Sequence, residues 1–220
     1  MASQKEIIKV IGLIKKEVKK YDTSLMDKVS TQTKDPFKVL ISCLLSLRTR
    51  DETTDIISEK LFKIASTPKE LSEIKLKELE SIIKPVNYYK TKAKRIKEIS
   101  KIIYEKYNSK VPNNREELLK LKGVGAKTSA IVLTYGFNDI LQLPTDVNVH
   151  KIANRLDWVK TKKFEDTEIE LKKIIPQKYW IDINDTFVIF GKNICVSVSP
   201  FCSRCPVVDY CKRIGVKTNR

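Results

Sequence analysis

The chain has 220 residues, 41% of them apolar, and carries 43 Lys and Arg against 27 Asp and Glu, a formal charge of +16. That length supports one large core or two small ones, and the charge points to a polyanionic partner, nucleic acid ahead of an anionic membrane surface. The longest uncharged apolar stretch, Val39 to Leu47, is too short to cross a bilayer and the N-terminus has no apolar signal core, so the expectation excludes membrane spans and secretion and favours a cytoplasmic protein.

Ile7, Ile11, Ile14 and Val18 recur at helical spacing and predict a first helix. Asp35-Pro36 reads as an N-cap followed by proline at the first helical position, opening a helix through the apolar run that contains Cys43. After "LSLRT", Asp51 is expected to cap the next helix. Lys84 to Lys110 holds nine Lys or Arg and two Glu, interleaved with Tyr88, Tyr89, Tyr104 and Tyr107 and threaded by the apolar positions Ile96, Ile99 and Ile103. It is a candidate surface for a nucleic-acid backbone, although a merely solvated helix has the same composition. Strand-like alternation is hard to find, and Pro68, Pro85, Pro112, Pro144 and Pro176 punctuate the chain without a repeat or a long linker. The fold class predicted is all-α, with about ten helices.

Residues 118–137 read "LLKLKGVGAKTSAIVLTYGF". Two glycines one residue apart permit positive backbone angles and a tight hairpin, leaving the amides of Gly123, Gly125 and Ala126 to face a phosphate at the next helix start. Glycine helix caps produce similar pairs, and the flanking L-x-G-V-G-x-K-T is what raises the specificity. Lys127 falls in the first turn of the second helix, close to Lys122. It is a candidate amine nucleophile, with a phosphate-contacting lysine as the other reading.

Downstream, "LPTDVNVHKIANRL" places Asp146 near another helix start. Thr145 or Asp146 serves as an N-cap there, and an acidic side chain next to a glycosidic bond can instead stabilise oxocarbenium character or move protons. His150, four residues on, suits packing or surface duty better than metal binding or acid-base chemistry.

Near the end, Cys195-x6-Cys202-x2-Cys205-x5-Cys211 gathers four of the five cysteines. The uneven count does not suit a secreted disulfide framework. Short irregular spacing suits four thiolates wrapped around a [4Fe-4S] cube better than the paired knuckles of a zinc ribbon.

Taken together, "LKGVGAKTSA", "LPTDVNVHKIANRL" and the cysteine spacing resemble the endonuclease III family of DNA repair glycosylases, with the resemblance running from about Pro36 to Cys211 and including "PFKVLISCLLSLRTRDE" and "NYYKTKAKRIKEI". It implies a two-domain helix-hairpin-helix glycosylase fold: residues 1–28 as an N-terminal helix completing the cluster domain, 29–138 as a helical barrel, and 139–220 as C-terminal helices with the cluster loop. It also implies a bifunctional glycosylase and abasic-site lyase that excises oxidised pyrimidines such as thymine glycol from double-stranded DNA. In that role Lys127 is the nucleophile and Asp146 its carboxylate partner. Cys195, Cys202, Cys205 and Cys211 hold a [4Fe-4S] cluster, and Arg48, Tyr88, Leu121, Lys122, Gly123, Val124, Gly125, Ala126 and Thr128 contact DNA. A prokaryotic, nucleoid-associated monomer is the matching expectation.

The resemblance has departures. Arg48 stands where glutamine is common, Tyr88 where a leucine wedge is common, and Asn148 where histidine commonly follows the catalytic Asp. "VSVSPF" lacks the basic residues usual between the first two cluster cysteines, leaving Arg204, Lys212 and Arg213 as substitutes. A monofunctional mismatch glycosylase and a non-catalytic DNA-binding module are the alternative functions.

Overall fold

The structure, a computed structural model, describes residues 2–21 and 35–220. Eleven α-helices occur among them: α1 (Gln4–Val18), α2 (Pro36–Ser46), α3 (Asp51–Ile64), α4 (Pro68–Glu73), α5 (Leu76–Ile82), α6 (Tyr89–Lys106), α7 (Arg115–Lys120), α8 (Ala126–Ile131), α9 (Val147–Arg155), α10 (Phe164–Ile174) and α11 (Trp180–Asn193). A π turn over Val132–Gly136 continues α8. No strand occurs among the described residues, in agreement with the all-α expectation.

Helix ends follow from local chemistry. Asp35 accepts the Phe37 N–H at 2.8 Å with Pro36 in the first turn, as the Asp-Pro pair predicts. Thr67 and Glu70 form a reciprocal capping box at the start of α4. Asp51, expected as a cap, is instead the first residue of α3; extended Arg50 occupies the cap position, and the Asp51 charge still meets the positive end of the helix.

The chain divides into two compact units, Leu25–Asp139 and a second composed of Met1–Ser24 with Ile140–Arg220. The expected boundary at residues 28 and 29 lies outside the described residues. In the first unit, α2 is buried nearly all round: Phe37, Val39, Leu40, Ile41, Leu44 and Leu45 join Leu61, Leu71, Leu79 and the Ile96, Ile99, Ile103 stripe of α6 in one core. In the second, Ile7, Val10, Ile11 and Ile14 of α1 meet Phe187 and Phe190 of α11 and Val149 and Ile152 of α9. Phe187→Ala, which empties a fully buried ring site, is expected to lower stability by about 3–5 kcal/mol, measurable as a shift in denaturant midpoint at unchanged slope.

Two lysines of the basic stretch do not act as surface charge. Lys97 Nζ donates to the Ser72 carbonyl and, at 2.6 Å, to that of Ile74, satisfying the C-terminal end of α4. Lys92 is 5% exposed and serves the end of α2 in the same way. The candidate backbone-binding face is therefore narrower than its composition suggests.

Candidate functional site

α7 and α8 are joined by the hairpin that the glycine pair predicts. Gly123 has φ +90, so the turn requires glycine, and a Cβ there would also displace the Arg95 side chain, 2.4 Å away. Gly125 differs from expectation: it is extended (φ −100, ψ −177) and caps α8, with open space where its side chain would be. Leu121 and Val124 point into the core and Thr128 is buried, so their side chains anchor the hairpin, while Lys122, Gly123 and Gly125 are exposed and Ala126 half-buried. The Val124 N–H already donates to the Leu121 carbonyl at 2.9 Å. Lys127, the second residue of α8, is exposed. Its charge acts on Cys43 of α2, whose buried thiol is pushed up to about 12 by desolvation, with Lys127 pulling the other way.

A second pair of predicted residues is brought together in the same unit. The Arg48 guanidinium lies 5.9 Å from the Tyr88 ring centroid, although forty residues of chain separate them. Both have left-handed backbones, φ 56 and 59, a conformation non-glycine residues adopt only when their surroundings hold them. Asn87 donates through Nδ2 to the Arg48 carbonyl, joining the two loops directly. Tyr88 is 63% exposed.

Asp146 belongs to the other unit and is the N-cap of α9. Its Oδ1 accepts the N–H groups of Asn148 (2.7 Å) and Val149 (2.9 Å), and Oδ2 accepts Asn148 Nδ2 at 3.2 Å. Asn148 is oriented in turn by Lys151, whose Nζ donates to Asn148 Oδ1 at 3.0 Å and to the Gly191 carbonyl at 3.3 Å. Any side chain at Gly191 would collide with Asn148, 2.5 Å from the nearest atom. His150 packs edge-on against Phe164 and pairs with Thr167 at 2.7 Å, the structural duty expected of it.

The opposite end of α9 serves the cysteines. Arg155, buried, donates to the carbonyls of Cys195, Val196 and Ser197 and, at 3.1 Å, to Cys195 Sγ. The Arg213 N–H donates to Cys211 Sγ at 3.4 Å. Cys195, Cys202, Cys205 and Cys211 are half-buried around one pocket walled by Ile194, Pro200, Phe201, Val208 and Val216. Burial pushes the Cys205 thiol up to about 12 and raises that of Cys211 as well. Four sulfurs in an apolar recess, with N–H donors aimed at two of them, form a donor set suited to a thiolate-ligated group. No set of three or more His, Cys, Asp or Glu arranged for a metal ion is found among the described residues. Phe201, between the first two cysteines, lies within 4.1 Å of the Arg204 guanidinium and 4.0 Å of that of Arg220.

Sequence reasoning missed Lys92, Lys151 and Arg155. Lys92 had a signal: it occupies the apolar stripe of α6, in register with Ile96, Ile99 and Ile103. Arg155 had none, since its acceptors lie forty or more residues along the chain, and for Lys151 the nearby Asn148 gave no hint of its second acceptor, the Gly191 carbonyl.

Residues 41–177 match the family model described as HhH-GPD superfamily base excision DNA repair protein. The chain is 49% identical over 178 residues to Endonuclease III of Thermotoga maritima, covering 81% of this chain and 83% of that one. It is 32% identical over 181 residues to Endonuclease III of Haemophilus influenzae, covering 82% and 85%. Its fold is similar to a solved structure reported as a trapped endonuclease III-DNA covalent intermediate, an estranged-adenine complex, with TM-score 0.85, 28% identity and 97% of each chain covered.

Proposed function

Because the chain belongs to the HhH-GPD superfamily of base excision DNA repair proteins, and within it to the endonuclease III family, we propose that it is a bifunctional DNA glycosylase and abasic-site lyase with Lys127 as nucleophile and Asp146 as essential carboxylate. Oxidised pyrimidines such as thymine glycol in duplex DNA are the substrates. The observation that carries this reading is the placement of Lys127: an exposed lysine in the first turn of α8, directly after a glycine hairpin with Gly123 at φ +90 and Gly125 exposed. Such a hairpin grips a phosphate without reading sequence, and so delivers the amine to the sugar of any nucleotide presented there.

The damaged base leaves the stack at a cost of about a few kcal/mol, less where damage has already weakened stacking. Lys127 Nζ forms a bond to the sugar C1′ as the glycosidic bond breaks, and its electron pair departs with the base, which is protonated. Positive charge that develops on the sugar is stabilised by the Asp146 carboxylate, which the N–H groups of Asn148 and Val149 and the Asn148 amide hold in place. Ring opening gives a protonated Schiff base; loss of a C2′ proton then expels the 3′ phosphate and nicks the strand, and water releases the lysine. The cysteine quartet fits a [4Fe-4S] cluster held by Cys195, Cys202, Cys205 and Cys211. Bound, that group supplies four metal–thiolate bonds that fix residues 195–211. Arg155 then ties this loop to the last turn of α9, while Arg204, Lys212 and Arg213 provide its positive charge toward phosphates. No described helix is long and apolar enough to cross a membrane, and the chromosome is the proposed place of action.

Borohydride trapping tests this reading. A duplex with one thymine glycol is expected to give a covalent adduct and the undamaged duplex none. Base release without an adduct moves the chain to the monofunctional relatives, and binding with neither leaves a DNA-binding module. Tyr88, exposed and paired with Arg48, is assigned as the wedge that stacks on the orphaned base, with Arg48 as the filler of the gap that the extruded base leaves. Tyr88→Ala is expected to slow base release by about 10-fold, the equivalent of about 1.4 kcal/mol of lost stacking, while sparing cleavage at a preformed abasic site. Equal loss on both substrates removes the wedge assignment.

A further inference from the structure

From its own sequence the turn that carries Arg48 has little more to hold it than the Thr49 N–H donating to the Ser46 carbonyl at 3.0 Å. It follows α2, whose last carbonyls lack intrahelical partners, and it contains a left-handed non-glycine residue, Arg48. Beside the Asn87 bond to the Arg48 carbonyl, the stabilising contacts come from α6. Lys92 Nζ donates to the Leu45 carbonyl (2.6 Å), the Leu47 carbonyl (2.6 Å) and Thr49 Oγ1 (3.0 Å). An ammonium has three protons, and here three acceptors from one turn converge on it, on both sides of Arg48. The positive charge also meets the negative end of α2.

The same helix begins one residue after Tyr88, and Lys92 donates its own backbone N–H to the Tyr88 carbonyl at 3.0 Å. One residue, 5% exposed, thus grips both the loop of Arg48 and the loop of Tyr88. Burial, reinforced by the neighbouring Arg95 charge, lowers Lys92 to about 8. A buried lysine held against that cost carries out a task that a leucine on the same apolar stripe could not.

We infer that Lys92 is a positioning residue for base extrusion: it fixes the Arg48 turn against the start of α6 so that the Arg48 and Tyr88 side chains stand together where an extruded base leaves a gap. The inference rests on the glycosylase reading above. Lys92 itself touches neither DNA nor the reacting atoms; it acts through backbone carbonyls. A turn freed to move by about 1 Å is enough to cost on the order of 10²-fold in a step that depends on placement.

The test compares two substrates on Lys92→Met and Lys92→Arg: release of thymine glycol from an intact duplex under single-turnover conditions, and cleavage of a duplex with a preformed abasic site. For Lys92→Met, base release is expected to fall by about 10-fold to 10²-fold while abasic-site cleavage stays within about 2-fold. Lys92→Arg, which keeps charge and several donors, should recover part of the loss. Parallel loss of both activities in Lys92→Met, or no loss of base release, overturns the inference. Should Lys92→Met not fold, Thr49→Val removes one of the three acceptors instead: a deficit confined to base release supports the inference and a parallel deficit overturns it. If the unmodified protein neither releases the base nor cuts the abasic site, the glycosylase reading fails, a result distinct from either pattern in the variants.

Discussion

Lys127→Ala is expected to abolish borohydride trapping on both thymine glycol and abasic-site duplexes and to lower base release by about 10³-fold or more. The structure makes this substitution clean. Lys127 is an exposed residue rather than part of the apolar core, and alanine is the best helix former, so the first turn of α8 is preserved. The hairpin itself rests on Leu121, Val124 and Gly123, which the substitution does not touch. Duplex affinity should therefore stay close to that of the unmodified protein, since one phosphate-range charge among many is removed. Thermal unfolding and filter binding, run beside the trapping assay, separate loss of chemistry from loss of fold. An adduct that survives would assign the Schiff base to another amine.

Asp146→Asn carries the second large effect, about 10²-fold to 10⁴-fold in base release, with most of the fold retained. Asparagine caps helices as well as aspartate does, so the N–H groups of Asn148 and Val149 keep an acceptor. What changes is the other side of the group. An amide nitrogen placed at Oδ2 would face Asn148 Nδ2, and Asn148 cannot turn without presenting its NH2 to Lys151, which holds its Oδ1. One hydrogen bond is lost, worth about 1 kcal/mol. The prediction is a small drop in unfolding midpoint beside a loss of activity far too large to follow from it. Asp146→Ala should cost more stability, through loss of the cap, with a similar loss of activity. If Asp146→Asn retains near-full activity, Asp146 is only a cap.

Asp146 is a cap in the structure and a catalytic carboxylate in the proposed reaction, and the two readings could not be separated along the chain. A carboxylate at a helix start satisfies backbone donors wherever it occurs, and the same hydrogen bonds would fix its position for chemistry. Asn148 looked like a simple departure from the histidine common in the family. Its side-chain amide links Asp146 to Lys151 and fits only because position 191 lacks a Cβ. That pairing between α9 and α11 has no local trace. The expectation for Asp51 failed for a different reason: a cap is chosen by backbone conformation, and extended Arg50 precedes it, leaving Asp51 inside the helix. Gly125 was read as a positive-φ position because glycine permits that conformation; permission is not a requirement, and only Gly123 takes it within the hairpin.

Features with short-range causes were legible from the chain alone. Helical periodicity, the Asp35-Pro36 start, the L-x-G-V-G-x-K-T hairpin and the Cys195 to Cys211 spacing each depend on residues a few positions apart, whose geometry is set by backbone sterics and local hydrogen bonds. The tertiary structure decided which charges face solvent and which hold the molecule together. Lys92, Lys97, Lys151 and Arg155 look like other members of a basic composition, yet each ends on carbonyls supplied by a different element. It likewise decided that Arg48 and Tyr88 stand as a pair. The physical reason is the same in every case: a long cationic side chain goes where unpaired carbonyls at helix ends and loops are brought within reach, and that depends on how helices pack, which no local spacing encodes.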